Sequence, residues 1–414
     1  MAHRGKEKFY STSTPTTRTL RVAYPGGKGR IVLRTQDDWD RVIESDSVSE
    51  DGNITTFTIK SIQPFLYFKP CLITEDGKHH WAVGANKLLL MDEKDVRIVY
   101  PFFFGTSKGG FSRLYTFPSK ILGRNHYLRA YLPPGYAENT LAKYPVAFMQ
   151  DGQNLFFPEE AFMGQTWNVD ETTWQLESMN AAEDFIIVGI RSADRMKEYT
   201  HPGYDDYARS LAEEVVPEAQ RLLRVVDDRR YRSVWGSSLG GVVSFYSVWH
   251  YPEVFGVAVC MSSTFSHNDD LIEHVLNEPR PDVAFYLDSG WPGDNYEVTM
   301  SMAMALATRG WQYGLNFLHL CFPMAEHDEK SWGMRLHLPM QFILGAVARA
   351  SRLANPVLSA PPKKKVVKTK PAVKKEVREN SKTKSNGKSK ALIQAQVKKK
   401  NVKAKKKKVS TSVG

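Results

Sequence analysis

Cysteine is scarce in this chain: Cys71, Cys260 and Cys321 stand far apart in apolar surroundings. With no CxxC pair and no histidine cluster, the sequence carries no sign of a metal site, and the three thiols read as small buried hydrophobes. Long apolar runs are also missing. Met1 to Tyr24 is polar and threonine-rich, without the apolar centre of a secretory signal, and no later stretch is long enough to span a bilayer. A cytoplasmic protein is the expectation. From Pro361 onward both aromatic residues and, nearly, acidic ones are absent: 20 Lys and Arg face 2 Glu. The net charge of +11 therefore hides an acidic body, with 36 basic against 43 acidic residues, that carries a cationic tail.

What is present divides into four regions. Residues 1–17 read as a disordered leader rich in Ser, Thr and charge. Residues 18–105 hold short β runs broken by Gly, Asp and Pro, among them Leu20–Tyr24, Arg30–Arg34, Ile54–Ile62, Leu66–Phe68 and His80–Val83. They predict a small β-sandwich of immunoglobulin-like or carbohydrate-binding type, in which Trp39 and Trp81 are either core or a surface for stacking on a sugar. Over 106–354, apolar strands alternate with amphipathic helices. The strands are Tyr127–Leu132, Val146–Gln150, Phe185–Ile190, Arg232–Trp235, Val257–Met261, Ala284–Leu287 and Asn316–Phe322. The helices include Tyr207–Leu223, Gly241–Tyr251, Asp269–Leu276, Glu297–Arg309 and Lys330–Leu344. This alternation predicts a mostly parallel sheet covered on both faces, with ligands at the carboxyl ends of the strands. Residues 355–414, rich in Lys, Val, Ala, Ser and Pro, hold too few large apolar residues to fold.

The sequence Gly236-Ser237-Ser238-Leu239-Gly240-Gly241 lies between a strand and a helix. A serine that protrudes from a tight strand-to-helix turn needs small neighbours two residues away on either side, which centres the G-x-S-x-G pattern on Ser238. Centring it on Ser237 would put Trp235 and Leu239 at the glycine positions. A hydroxyl is a weak nucleophile until an imidazole takes its proton, and in this pattern the order is serine, acid, histidine. His327 lies just after the last strand and before a helix, whereas the other downstream histidines fall within elements or in the Ser262–Asp270 loop. For the acid, two residues follow the preceding strand. Asp294, beyond Gly290-Trp291-Pro292-Gly293, is favoured over Asp288, whose alternative is to hold that loop through backbone N–H bonds. The oxyanion calls for backbone donors, and the N–H groups of Leu239 and of Gln153, in the loop after Val146–Gln150, are the candidates.

Taken in order, Tyr144-Pro145-Val146 with Asp151-Gly152-Gln153-Asn154, Arg195 with Glu198-Tyr199-Thr200, Gly236 to Gly241, Pro252-Glu253-Val254-Phe255-Gly256 with Ser262-Ser263, and Ala325 to Glu329 with Trp332 and Arg335 make a set. From Arg113 to Leu344 the chain resembles the esterase family of α/β-hydrolases typified by enterochelin (ferric siderophore) esterases and the esterase D group. The resemblance implies an α/β-hydrolase fold preceded by a β-rich domain, hydrolysis of carboxylic esters, and no cofactor or metal. Family members cleave siderophore lactones, feruloyl or acetyl sugars and other small esters. The long Lys tail and the acid loop depart from the family, so the substrate does not carry over. Trp167, Arg195 and Trp291 are candidates to line the ester site, against the alternatives of a core aromatic for Trp167 and a structural ion pair for Arg195. A different class of function attaches to the tail. Its lysine runs suit non-specific binding to nucleic acid or another polyanion, with the hydrolase domain as scaffold.

Overall fold

The computed structural model describes residues 11–12, 14–93 and 96–345. The expected tail, and most of the expected leader, lie outside the described residues.

Nine short strands make the first part of the fold: β1 (Thr16–Ala23), β2 (Arg30–Thr35), β3 (Asp38–Ile43), β4 (Ser47–Val48), β5 (Ile54–Ser61), β6 (Phe65–Ile73), β7 (His79–Trp81), β8 (Lys87–Leu90) and β9 (Arg97–Val99). They form two sheets, one in the order β4-β5-β1-β9 and one in the order β3-β2-β6-β7 with β8 paired to β6. Period-two alternation sends Leu20, Val22, Phe57, Ile59, Leu33 and Phe68 into one shared core, as a sandwich requires. Strand β1 starts at Thr16, inside the expected leader, because Thr16 and Thr17 already pair with Ser61 and Lys60. Trp39 and Trp81 sit together with ring centroids 6.5 Å apart.

The second part is one nine-stranded sheet built from β10 (Gly110–Phe111), β11 (Tyr115–Ser119), β12 (Arg124–Leu132), β13 (Val146–Met149), β14 (Ile186–Ile190), β15 (Arg232–Ser237), β16 (Val257–Met261), β17 (Ala284–Trp291) and β18 (Phe317–Pro323). Its order is β10-β12-β14-β13-β15-β16-β17-β18, with β11 beside β12. From β14 to β18 every pairing is parallel, whereas β12 joins β14 antiparallel. A parallel sheet with its antiparallel strands at one end and helices on both faces is the α/β-hydrolase fold. The helices are α1 (Val169–Ser178), α2 (Arg195–Glu198), α3 (Gly203–Ser210), α4 (Val216–Leu222), α5 (Leu239–His250), α6 (Leu271–Asn277), α7 (Tyr296–Thr308), α8 (Glu329–Arg335) and α9 (His337–Leu344).

Alternate residues of each central strand serve opposite faces, so these strands are apolar throughout. Phe148, Val234, Ala258, Cys260, Phe285 and Leu287 pack with α3 to α7. Met149, Trp235, Val259, Met261 and Tyr286 pack with α1, α8 and α9. The structure differs from expectation in three places. The helix expected over Tyr207–Leu223 starts at Gly203 and is α3 and α4 joined by a π-helical segment, Leu211–Val215. The single helix expected over Lys330–Leu344 is two, α8 and α9, because Pro339 has no N–H to offer the Arg335 carbonyl one turn back. Cys321 is exposed rather than buried, since β18 is the last strand and one of its sides is open. Among the described residues no helix is long and apolar enough to cross a membrane.

Candidate active site

Four loops leave the carboxyl ends of β13, β15, β17 and β18 on the same edge of the sheet, and each carries one expected group. Ser238 forms the turn between β15 and α5, with φ 57° and ψ −126°. A side chain held there costs roughly 1–3 kcal/mol. Two glycines make room for the turn, Gly236 above all. A Cβ on Gly236 would lie 2.3 Å from the backbone of Gly240, and one on Gly241 would lie 1.9 Å from Ser263 Oγ.

The Ser238 hydroxyl lies 3.0 Å from His327 Nε2, and His327 Nδ1 lies 2.7 Å from Asp294 Oδ1. His327 sits on the loop between β18 and α8, fixed at its far end where the Asp328 carboxylate accepts the Ser331 N–H at 2.7 Å and caps α8. Asp294 is on the loop after β17, and its side chain is fully buried. Oδ1 also accepts the Asn295 N–H at 2.8 Å, and Oδ2 accepts the Gly290 N–H at 2.7 Å together with the Ser262 hydroxyl. Burial alone would raise the Asp294 carboxyl, but the bonds from His327, Ser262, Gly290 and Asn295 outweigh it and bring the pKa down to about 2. The group is thus a carboxylate throughout the neutral range.

Asp288 does not touch the imidazole. It lies behind the site, buried, where it accepts Arg335 Nη2 at 3.0 Å and the Tyr286 hydroxyl at 2.9 Å. Burial pushes its carboxyl up, against the pull of Arg335. Holding the acid loop through backbone N–H bonds, the alternative considered for Asp288, is done by Asp294 itself.

Leu239 opens α5, and Gln153 lies in the one-turn helix Gly152–Asn154 after β13. Neither backbone N–H has an acceptor among the described residues, as expected of the first turn of a helix. The two loops lie side by side. Gln150 N–H donates to the Trp235 carbonyl at 2.8 Å, and a Cβ on Gly240 would meet Asp151 Oδ2 at 3.1 Å.

The three candidate lining residues part company. Trp291 is 52% exposed at the end of β17, next to the acid loop. Arg195 forms an ion pair with the buried Asp151, Nε to Oδ1 3.0 Å, while its side chain stays over a third exposed. Trp167 is only 1% exposed and packs against Trp332 at 5.9 Å, so it is a core aromatic that offers no face to a ligand. That corrects the expectation for Trp167. A large apolar side chain after a helix-free loop reads the same in sequence whether it is lining or core.

The sequence assigned no role to three side chains that the structure places around the acid. Ser262 Oγ accepts Trp332 Nε1–H at 2.9 Å and Arg335 Nη2–H at 2.5 Å while it donates to Asp294. Arg335 Nη2 also lies 3.6 Å from Asp294 Oδ2. Trp332 packs edge to face on the His327 ring, centroids 5.1 Å apart. The available signal was the spacing of Trp332 and Arg335, three residues apart and hence on one face of a helix.

A hydroxyl on a strained turn, an imidazole bonded to it and a buried carboxylate on the second ring nitrogen together allow proton transfer from oxygen to nitrogen without loss of the imidazole's orientation. The Leu239 and Gln153 amides, on adjacent loops, are left free to donate to a ligand.

Comparison with known proteins identifies a family. The family model described as "Putative esterase" matches residues 119–337, just over half of the chain. Two Bacillus subtilis (strain 168) proteins, uncharacterized protein YbbA and uncharacterized protein YjcH, are 24% and 30% identical over 156 and 151 residues. The matches take in 34% and 35% of this chain, which spans only 58% and 59% of the relatives' lengths. Among solved structures, the enterobactin esterase from Shigella flexneri aligns with a TM-score of 0.48 at 14% identity, covering 80% of this chain and 94% of that one. A ferulic acid esterase from Anaeromyces mucronatus aligns with a TM-score of 0.48 at 18% identity, covering 59% and 93%.

Proposed function

The chain belongs to this esterase family, and from that premise we propose that it hydrolyses carboxylic esters of small molecules through an acyl-enzyme on Ser238. The observation that carries the proposal is the unbroken hydrogen-bonded line from Ser238 Oγ through both nitrogens of His327 to Asp294. Ser238 Oγ attacks the ester carbonyl as its proton passes to His327 Nε2, and Asp294 holds Nδ1–H and offsets the charge of the imidazolium. The Leu239 and Gln153 N–H groups receive the oxyanion. Collapse breaks the ester C–O bond, and His327 returns the proton to the departing alcohol. Water then repeats the sequence in place of serine and releases the acid. Trp291, exposed beside the acid loop, is the lining residue proposed to meet substrate. Siderophore and acylated-sugar esters are the candidate classes.

The test is turnover of p-nitrophenyl acetate and butyrate by the full chain, by Ser238→Ala and by a chain lacking 361–414. The expected pattern is loss in Ser238→Ala and retention without the tail, with a fluorophosphonate probe labelling Ser238 alone. Undiminished turnover in Ser238→Ala would refute the assignment. A second reading rests on the 20 Lys and Arg from Pro361 onward: the tail binds nucleic acid or another polyanion without sequence preference. Salt-sensitive DNA binding that disappears with the tail is its expected sign.

A further inference from the structure

No histidine cluster shows in the linear sequence, yet folding builds one away from Ser238. Helix α5, which begins just after the Ser238 turn, ends at His250; α6 carries His274, and Glu278 follows four residues later at its C-cap. One atom able to bind a metal from each of His250, His274 and Glu278 lies within 4.8 Å of the other two. The two imidazoles meet edge to face with centroids 5.0 Å apart. His274 Nδ1 is 2.7 Å from Glu278 Oε1, and its Nε2 is 3.1 Å from Asp270 Oδ1. Trp249 Nε1–H holds the other carboxylate oxygen, Glu278 Oε2, at 2.7 Å. His250 Nε2 is buried with no hydrogen-bond partner, an unfavourable state for a polar atom.

We propose that His250, His274 and Glu278 form a binding site for a divalent late transition metal ion, with Zn2+ the foremost candidate. Two imidazoles and one carboxylate are a donor set that such ions take, with solvent completing the coordination. Asp270 beside Nε2 would hold that nitrogen as the N–H donor once an ion displaces the proton from Nδ1, which leaves the Nδ1 lone pair on the Glu278 side to ligate. No electron moves on uptake, and any proton on His274 Nδ1 leaves to solvent. The ion would tie the far end of the helix that follows the serine turn to α6. The competing account is an ion-pair cluster that needs no metal, with His274 shared between Asp270 and Glu278.

The experiment uses full-length protein freed of metal by a chelator and titrated calorimetrically with ZnCl2. One Zn2+ per chain with a dissociation constant in the low micromolar range or tighter is expected. His250→Gln and His274→Gln should abolish that binding event, and Asp270→Asn should weaken it by roughly 10–100-fold. The melting temperature should rise with Zn2+ in the parent protein and not in the two glutamine variants, while p-nitrophenyl butyrate turnover of those variants stays at the parental level. If a variant does not fold, Co2+ added to the parent protein decides the matter through the visible bands of a four- or five-coordinate site. Failure to bind at tens of micromolar Zn2+, Zn2+ binding unchanged in His274→Gln, or an octahedral aquo-like Co2+ spectrum would each overturn the proposal.

Discussion

Replacing Arg335 with methionine removes the cation that two buried carboxylates share. The Arg335 side chain is 4% exposed, and those of Asp288 and Asp294 are fully buried. Nη2 reaches Asp288 at 3.0 Å and Ser262 Oγ at 2.5 Å. Methionine matches most of the volume, so the loss is electrostatic: Asp288, already pushed up by burial, is left without its cation. Breaking a buried pair by removing one partner costs about 3–5 kcal/mol, a large share of the ~5–15 kcal/mol by which a folded domain is stable. The exposed pair Arg30–Glu44, with side chains 57% and 63% exposed, is the control, and Arg30→Ala should cost only a small fraction of that. The assay is urea unfolding followed by tryptophan fluorescence at pH 7, alongside kcat for p-nitrophenyl butyrate. Turnover should fall as well, because Ser262 and Asp294 lose a common anchor, and Arg335→Lys should recover stability better than it recovers kcat. If Arg335→Met unfolds at the same urea concentration as Arg30→Ala, the reasoning about the buried cation is wrong.

Asp294→Asn should lower kcat by roughly 10⁴-fold, since an amide N–H facing Nδ1 turns the imidazole to the wrong tautomer; a loss under tenfold at unchanged circular dichroism would count against the assigned role. His126, fully buried, has its pKa lowered to about 4 by burial and then by Arg124, so the unfolded chain takes a proton near 6.5 that the folded one refuses. Its contribution is complete above pH 6.5 and is lost as pH falls toward 4, about 3 kcal/mol in all. Urea midpoints measured at pH 7 and pH 4.5 should therefore lie closer together in His126→Phe than in the parent. Gly236→Ala should destabilise more than Gly241→Ala, because the first Cβ meets the Gly240 backbone whereas the second meets a serine hydroxyl that can rotate away; equal urea midpoints would contradict this.

The central strands and the loop positions of Ser238, Asp294 and His327 were legible because each of the three lies in a loop after an apolar run, and apolar runs are what a doubly covered parallel sheet demands. Asp288 and Asp294 could be ranked by place in the loop, but the reason for the outcome is not local. Asp288 still belongs to β17, whose pairing with β16 and β18 turns it under the sheet edge toward Arg335. Ser262, Trp332 and Arg335 escaped assignment because their meeting point is set by tertiary packing across 70 residues and more of chain. The break before α9 was written in Pro339, and a helical hydrophobic period continuing past it concealed the signal. In the N-terminal sheets, β4, β8 and β9 have only two to four residues, and β3, with six, buries none of them, so no alternation is there to read. Edge position is likewise invisible in composition, and that is why Cys321 lies open despite its apolar neighbours.

The serine and the imidazole are 89 residues apart, with the histidine hung on the outermost strand. While the chain is being synthesised, the sheet through β17 can assemble with its bent serine already formed and nothing to draw off the proton. On the mechanism proposed above, reactivity then arrives in one late event, when the final strand docks, and fragments or half-made chains carry an inert alcohol.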